Sequence, residues 1–132
     1  MKFVVLLGRI LFSLIFLNTL IGHFSPQMTG YAASQGVPAP SFLVPFSGII
    51  AFIGSLSIMF GYKARLGAWL IVIFLIPVSF WMHAFWNMSD PMQAQMNMAM
   101  FMKNMSMLGG ALIIAYFGAG PLSVDENLAR KR

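Results

Sequence analysis

Four apolar runs, residues 3–24, 42–61, 66–86 and 98–117, take up most of this 132-residue chain. Each is close to the ~20 residues a helix needs to cross a bilayer. A segment placed in lipid must satisfy its own backbone N–H and C=O groups, and an α-helix does so within the segment. Only 8% of the residues are charged, against about 25% in a soluble domain. The chain therefore lacks the polar surface of a water-soluble globule. The expectation is an all-α integral membrane four-helix bundle with the lipid bilayer as its first partner.

The net charge of +5 does not imply nucleic acid, because the basic residues flank the apolar runs instead of forming a patch. Such flanking residues set topology. With four spans, Lys2, Arg9, Lys63, Arg65, Arg130, Lys131 and Arg132 fall on one face and only Lys103 on the other. Both termini are expected to be cytoplasmic, with 118–132 as a polar cytoplasmic tail. A secretory signal peptide has an apolar region of about 7–15 residues and a small-residue cleavage site. The first run is longer, and Gly30-Tyr31-Ala32 is a poor match beyond it, so the run reads as a retained span. Arg9, about two turns into it, is expected to snorkel to the headgroups. The chain has no cysteine, hence no disulfide, thiolate metal site or dithiol centre.

The connections are legible from their breakers. Residues 25–40 hold three prolines and two glycines, which allow only a short helical turn near Met28–Ser34 ended by Gly36. Tyr62-Lys63-Ala64-Arg65 is a tight basic turn, so the second and third spans pair antiparallel. Pro77 is expected to kink the third span. Ser89-Asp90-Pro91 reads as a helix start with a capping side chain. The last helix then extends to Tyr116 or Phe117, with interfacial first turns carrying Gln93, Gln95 and Asn97.

The chemistry-bearing residues gather between Trp81 and Asn104, at the outer ends of the spans. His83, Lys103 and His23 are the candidate catalytic groups, and Asn104, Trp86, Tyr31 and Asp90 the candidate ligand-binding ones. Ionisable groups at membrane depth are costly and usually face the bundle interior. Imidazole or ammonium beside aromatic rings suits the carbonyl oxygen of a diffusing quinone. The plainer reading is an interfacial belt, since Trp, Tyr and Lys anchor helix ends. Eight methionines between Met88 and Met107 raise a Cu(I) reading, because thioethers are soft ligands. They spread around the helix as apolar filler does, so no metal site is assigned.

Gly8-Arg9-Ile10-Leu11, Gly22-x-Phe24, Gly30-Tyr31, Gly36-Val37-Pro38, His83-Ala84-Phe85-Trp86, Lys103-Asn104 and Leu108-Gly109-Gly110 recur in one order, ending in Gly118-Ala119-Gly120-Pro121-Leu122-Ser123-Val124-Asp125. In this order they resemble the DoxX family of small four-helix membrane proteins. The resemblance implies a bundle in the bacterial inner membrane and a tie to a thiosulfate:quinone oxidoreductase subunit or a redox-stress complex. The chain departs from the DoxX pattern at His23, where many members carry lysine, and at Ala51 or Phe52, where many carry glutamate. The expected function is the membrane subunit of a quinone-linked oxidoreductase, with other redox subunits or a homo-oligomer as partners. The alternatives are a non-catalytic scaffold or assembly factor working through Gly48, Gly54, Gly109 and Gly110, and small-molecule or copper binding at the methionines.

Overall fold

The computed structural model describes all 132 residues, and it is all helical. α1 spans Lys2–His23, α2 Pro26–Ser34, α3 Pro40–Phe60, α4 Ala64–Met82, α5 Pro91–Phe117 and α6 Val124–Arg130, with a 3-10 turn at Phe85–Asn87. α1, α3, α4 and α5 are long and apolar enough to cross a membrane. Packing runs in sequence order, α1 against α3, α3 against α4 and α4 against α5. The main core joins Phe16, Ala51, Ile58, Ala68, Ile71, Val72, Phe74, Leu75 and Ala111 from all four spans.

Small residues set the helix separations. At Gly54 an added Cβ would lie 2.8 Å from the Gly67 carbonyl oxygen, so α3 and α4 meet backbone to backbone. At Gly48 it would lie 2.6 Å from the His23 Cβ, and at Gly110 3.1 Å from the Phe12 ring. These glycines, expected to be free for partner helices, are consumed inside the bundle. Of the four, only Gly109 has nothing within 4 Å.

The α3–α4 turn is tight because Gly61 takes a left-handed φ of 66°, which a side chain would strain. Ser57 Oγ donates to the Tyr62 and Lys63 carbonyls at 2.6 and 3.1 Å. α2 begins on Ser25, whose Oγ accepts from Met28 N–H at 3.2 Å. It ends in a reversal where Val37 N–H returns to the Ala32 carbonyl at 3.1 Å.

Arg9 requires a correction. It does not snorkel: it is only 4% exposed, and its guanidinium donates to Ala119, Pro121 and Leu122 carbonyls at 2.6, 3.2 and 2.6 Å. The loop after α5 folds back over α1 and brings three backbone carbonyls to Arg9. The tail is accordingly docked. Asp125 accepts from Lys63 and Ala64 N–H at 2.8 and 3.0 Å, closing the first turn of α4 from 61 residues away. The third span also differs in detail, because its regular helix stops at Met82 and a 3-10 turn carries the apolar run on to Asn87. α4 continues through Pro77, and Ser79 Oγ donates to the Leu75 carbonyl at 2.6 Å. His83 then leaves the helix at φ −124°, ψ 39°, so it sits on a connection and not on a helix face.

Candidate functional site

The bundle end opposite the two termini encloses a cavity of ≈ 460 Å³, within the range of small-molecule sites. The later turns of α1 and α4, the early turns of α3, the middle of α5, and α2 form its walls. The lining is mostly apolar, with Phe16, Phe74, Val78 and Trp81 among it. Five residues singled out in the sequence line it: His23, Tyr31, His83, Lys103 and Asn104.

The two histidines are held alike. His23 Nδ1 donates to the Thr19 carbonyl at 2.7 Å. His83 Nδ1 lies 3.0 Å from Asn97 Oδ1, and Asn97 Nδ2 donates to the Gln93 carbonyl at 3.0 Å. That second bond turns the amide oxygen toward His83, so Nδ1 is the donor. In both rings Nδ1 therefore carries a proton that is already used within the protein. His23 also lies 5.6 Å from the Phe74 ring, in the space that Gly48 leaves open.

Asn104 is the most unusual group in the cavity. It is 3% exposed, and its Nδ2 is buried with no hydrogen-bond partner. An unmet buried donor costs about 1–3 kcal/mol. It lies midway along α5, 13 residues from either end. Its neighbour Lys103 is exposed, and its Nζ approaches only the Met100 sulfur, at 3.4 Å. No carboxylate pairs with it.

Tyr31 fastens the cavity's rim. Its Oη donates to the Met82 carbonyl at 3.0 Å, a group left free where α4 ends. Burial pushes its phenol above the ordinary value. Trp86 and Asp90 lie outside the cavity. Trp86 packs on Phe80, Phe85 and Phe101 at 5.1–6.1 Å, and Asp90 Oδ1 caps α5 by accepting from Met92 N–H at 3.2 Å. Sequence reasoning missed Asn97 as the group that orients His83, although an amide among interfacial turns was the available signal. Thr19 and Ser47 also line the cavity, but their hydroxyls donate to the Phe16 and Val44 carbonyls of their own helices.

Met92, Met96, Met98 and Met102 are exposed on the outside of α5. Only Met28, Met82, Met100 and Met107 reach the cavity wall.

A multi-pass helical bundle with a cavity among its spans defines the class as a polytopic membrane protein. The chain belongs to the SURF4 family, whose sequence profile matches residues 1–131. This overturns the DoxX resemblance: small residues at helix contacts and aromatic and basic residues at helix ends are general features of membrane helices. The chain is similar to inner membrane protein YqjF of Escherichia coli strain K12, 33% identical over 96% of this chain and 93% of that protein. It is similar to inner membrane protein YphA of the same strain, 29% identical over 92% and 88%. The ER-derived vesicles protein ERV29 of Saccharomyces cerevisiae is 27% identical over 62% of this chain and 26% of that longer protein. No solved structure matches.

Proposed function

We propose that this protein is a multi-pass protein of the bacterial inner membrane that binds a lipid-soluble ligand with a hydrogen-bond-accepting head. The buried, unpaired amide nitrogen of Asn104, a residue of the apolar cavity wall, carries the reading. A donor buried without a partner is a standing cost, which a ligand oxygen removes. The lysine and arginine counts favour cytoplasmic termini and hence a cavity in the outer half of the membrane.

A quinone-type head meets the requirements. One carbonyl accepts from Asn104 Nδ2, and the Lys103 ammonium serves the other. Trp81 and Phe74 supply apolar walls for the ring. The protein would then be the acceptor-binding subunit of a redox complex, with the electron donor on another chain.

A second reading rests on the four thioethers at the wall. Met28, Met82, Met100 and Met107 line the cavity together with His23 and His83, and thioether and imidazole are donor types that Cu(I) takes.

The test is titration of the purified protein with a short-chain quinone, read by tryptophan quenching, alongside Asn104→Leu and Lys103→Ala. Saturable binding weakened at least tenfold by Asn104→Leu supports the reading. Unchanged affinity in that variant defeats the assignment of Asn104. Retention of Cu(I) without quinone binding selects the second reading.

A further inference from the structure

The end of the bundle that carries the termini has its own hollow, ≈ 620 Å³, between the start of α4 and the loop after α5. Its rim carries two cations, Lys63 and Arg65, and two carboxylates, Asp125 and Glu126. The carboxylates are already engaged. Asp125 holds the Lys63 and Ala64 N–H groups. Glu126 accepts from Leu122 N–H at 2.8 Å and from the Arg130 guanidinium at 2.7 Å.

The cations have no anionic partner. Neither Lys63 nor Arg65 forms an ion pair, and Lys63 Nζ makes only a cation–π contact over the Tyr62 ring, 5.7 Å from its centroid. The Arg65 side chain crosses Gly118, its Nε 3.3 Å from where a Cβ would stand. Gly118 has a φ of +84°, a backbone conformation that favours glycine, and the missing side chain lets Arg65 lie across it. The guanidinium stands at the rim without an ion-pair partner. Just beside it, Leu66 and Phe117 line the hollow and are 63% and 73% exposed. Trp69, one turn further along α4, is half exposed, as at a membrane interface.

Free cations at headgroup level above a lipid-facing apolar wall match one ligand shape, a phosphate carrying acyl chains. We propose that this hollow binds an anionic phospholipid, its phosphate between Lys63 and Arg65 and its chains along Leu66, Trp69 and Phe117. A zwitterionic lipid suits the site less, because it brings its own ammonium toward Lys63 and Arg65, while the carboxylates of the rim are already bonded within the protein. Bound there, the lipid bridges the α3–α4 turn and the loop that Arg9 holds. This site is independent of the outer cavity and of whatever that cavity binds.

The experiment uses the full chain in neutral detergent, titrated with short-chain phosphatidylglycerol, short-chain phosphatidylcholine and glycerol 3-phosphate. Lipid adducts are followed by native mass spectrometry and stability by thermal unfolding. Phosphatidylglycerol is expected to bind at least fivefold more tightly than phosphatidylcholine and to raise Tm. Arg65→Gln should abolish that preference, and Arg65→Lys, which keeps the charge and loses the fork, should retain part of it. Equal binding of both lipids, or a preference unchanged in Arg65→Gln, overturns the proposal. A full Tm rise with glycerol 3-phosphate alone overturns it in favour of a soluble-anion site. Should Arg65→Gln fail to fold, Lys63→Gln makes the same comparison at an exposed, unpaired residue.

Discussion

Arg9 Nη1 donates to the carbonyl of Ala119 at 2.6 Å, joining residues 110 positions apart. Nη2 reaches Leu122 at the same distance. One buried guanidinium thus holds the loop through which the chain leaves its last span, and that loop positions Asp125 against the start of α4.

Replacing Arg9 should therefore loosen the tail before it unfolds the bundle. Arg9→Leu leaves three carbonyls without their donor, and the expected loss is roughly 3 kcal/mol. Thermal unfolding in detergent should fall accordingly, and proteolysis after residue 118 should accelerate. Arg9→Lys keeps the charge but not the fork and should recover only part. A tail equally resistant in Arg9→Leu and wild type would show that the docking rests on Asp125 alone.

Tyr31 predicts an alkaline limit. Burial raises its phenol above the ordinary value of 10.0, so the folded state holds the proton more tightly than the unfolded chain does. The sign follows: the contribution is complete below pH 10 and is lost as pH rises through the higher folded value. Unfolding stability should decline above about pH 10, with a late-titrating phenolate absorbance. Tyr31→Phe should remove that component and, through loss of the bond to the Met82 carbonyl, cost about 1 kcal/mol at neutral pH. The same alkaline decline in the variant would assign it to another group.

Gly48→Ala tests how the cavity wall is made. The new Cβ would stand 2.6 Å from the His23 Cβ, so α1 and α3 must separate or His23 must move. Overpacking of this kind costs about 1–3 kcal/mol. Because His23 lines the cavity, quinone affinity should fall together with Tm. A stable variant with unchanged affinity would mean that His23 shifts freely and takes no part in binding.

What the sequence discloses follows from which forces are local. Apolar runs and breakers act within a segment, so the four spans, the Asp90 cap and the turn at Gly61 can be read from residue order alone. Arg9 cannot, because its partners are backbone carbonyls, which have no residue type and are exposed only by a loop at the far end of the chain. His83 fails for a related reason. An apolar run continues through Ala84-Phe85-Trp86, yet those rings cluster with Phe80 and Phe101 and the chain leaves the helix to place them. The juxtaposition of His23, His83, Lys103 and Asn104 is within reach of the sequence, since antiparallel spans fix which ends meet. That Asn104 lacks a partner is not, because satisfaction depends on every neighbour in three dimensions. The DoxX resemblance misleads because lipid selects the same small, aromatic and basic punctuation in many bundles.

Asn104→Leu separates a ligand-binding amide from a structural one. If Nδ2 is unmet in the free protein, a nearly isosteric apolar side chain removes its penalty. The ligand-free variant should then be more stable than wild type by about 1 kcal/mol or more, an inversion of what loss of a structural hydrogen bond produces. Quinone affinity should fall at least tenfold in the same variant, since the ligand oxygen loses its donor within an apolar wall. Asn104→Asp carries an oxygen where the donor was and should lose affinity without gaining stability. Thermal unfolding with and without quinone measures both quantities on one sample. A destabilised Asn104→Leu with unaltered affinity would make the amide part of the scaffold and send the search for the ligand's donor to Lys103 and His83.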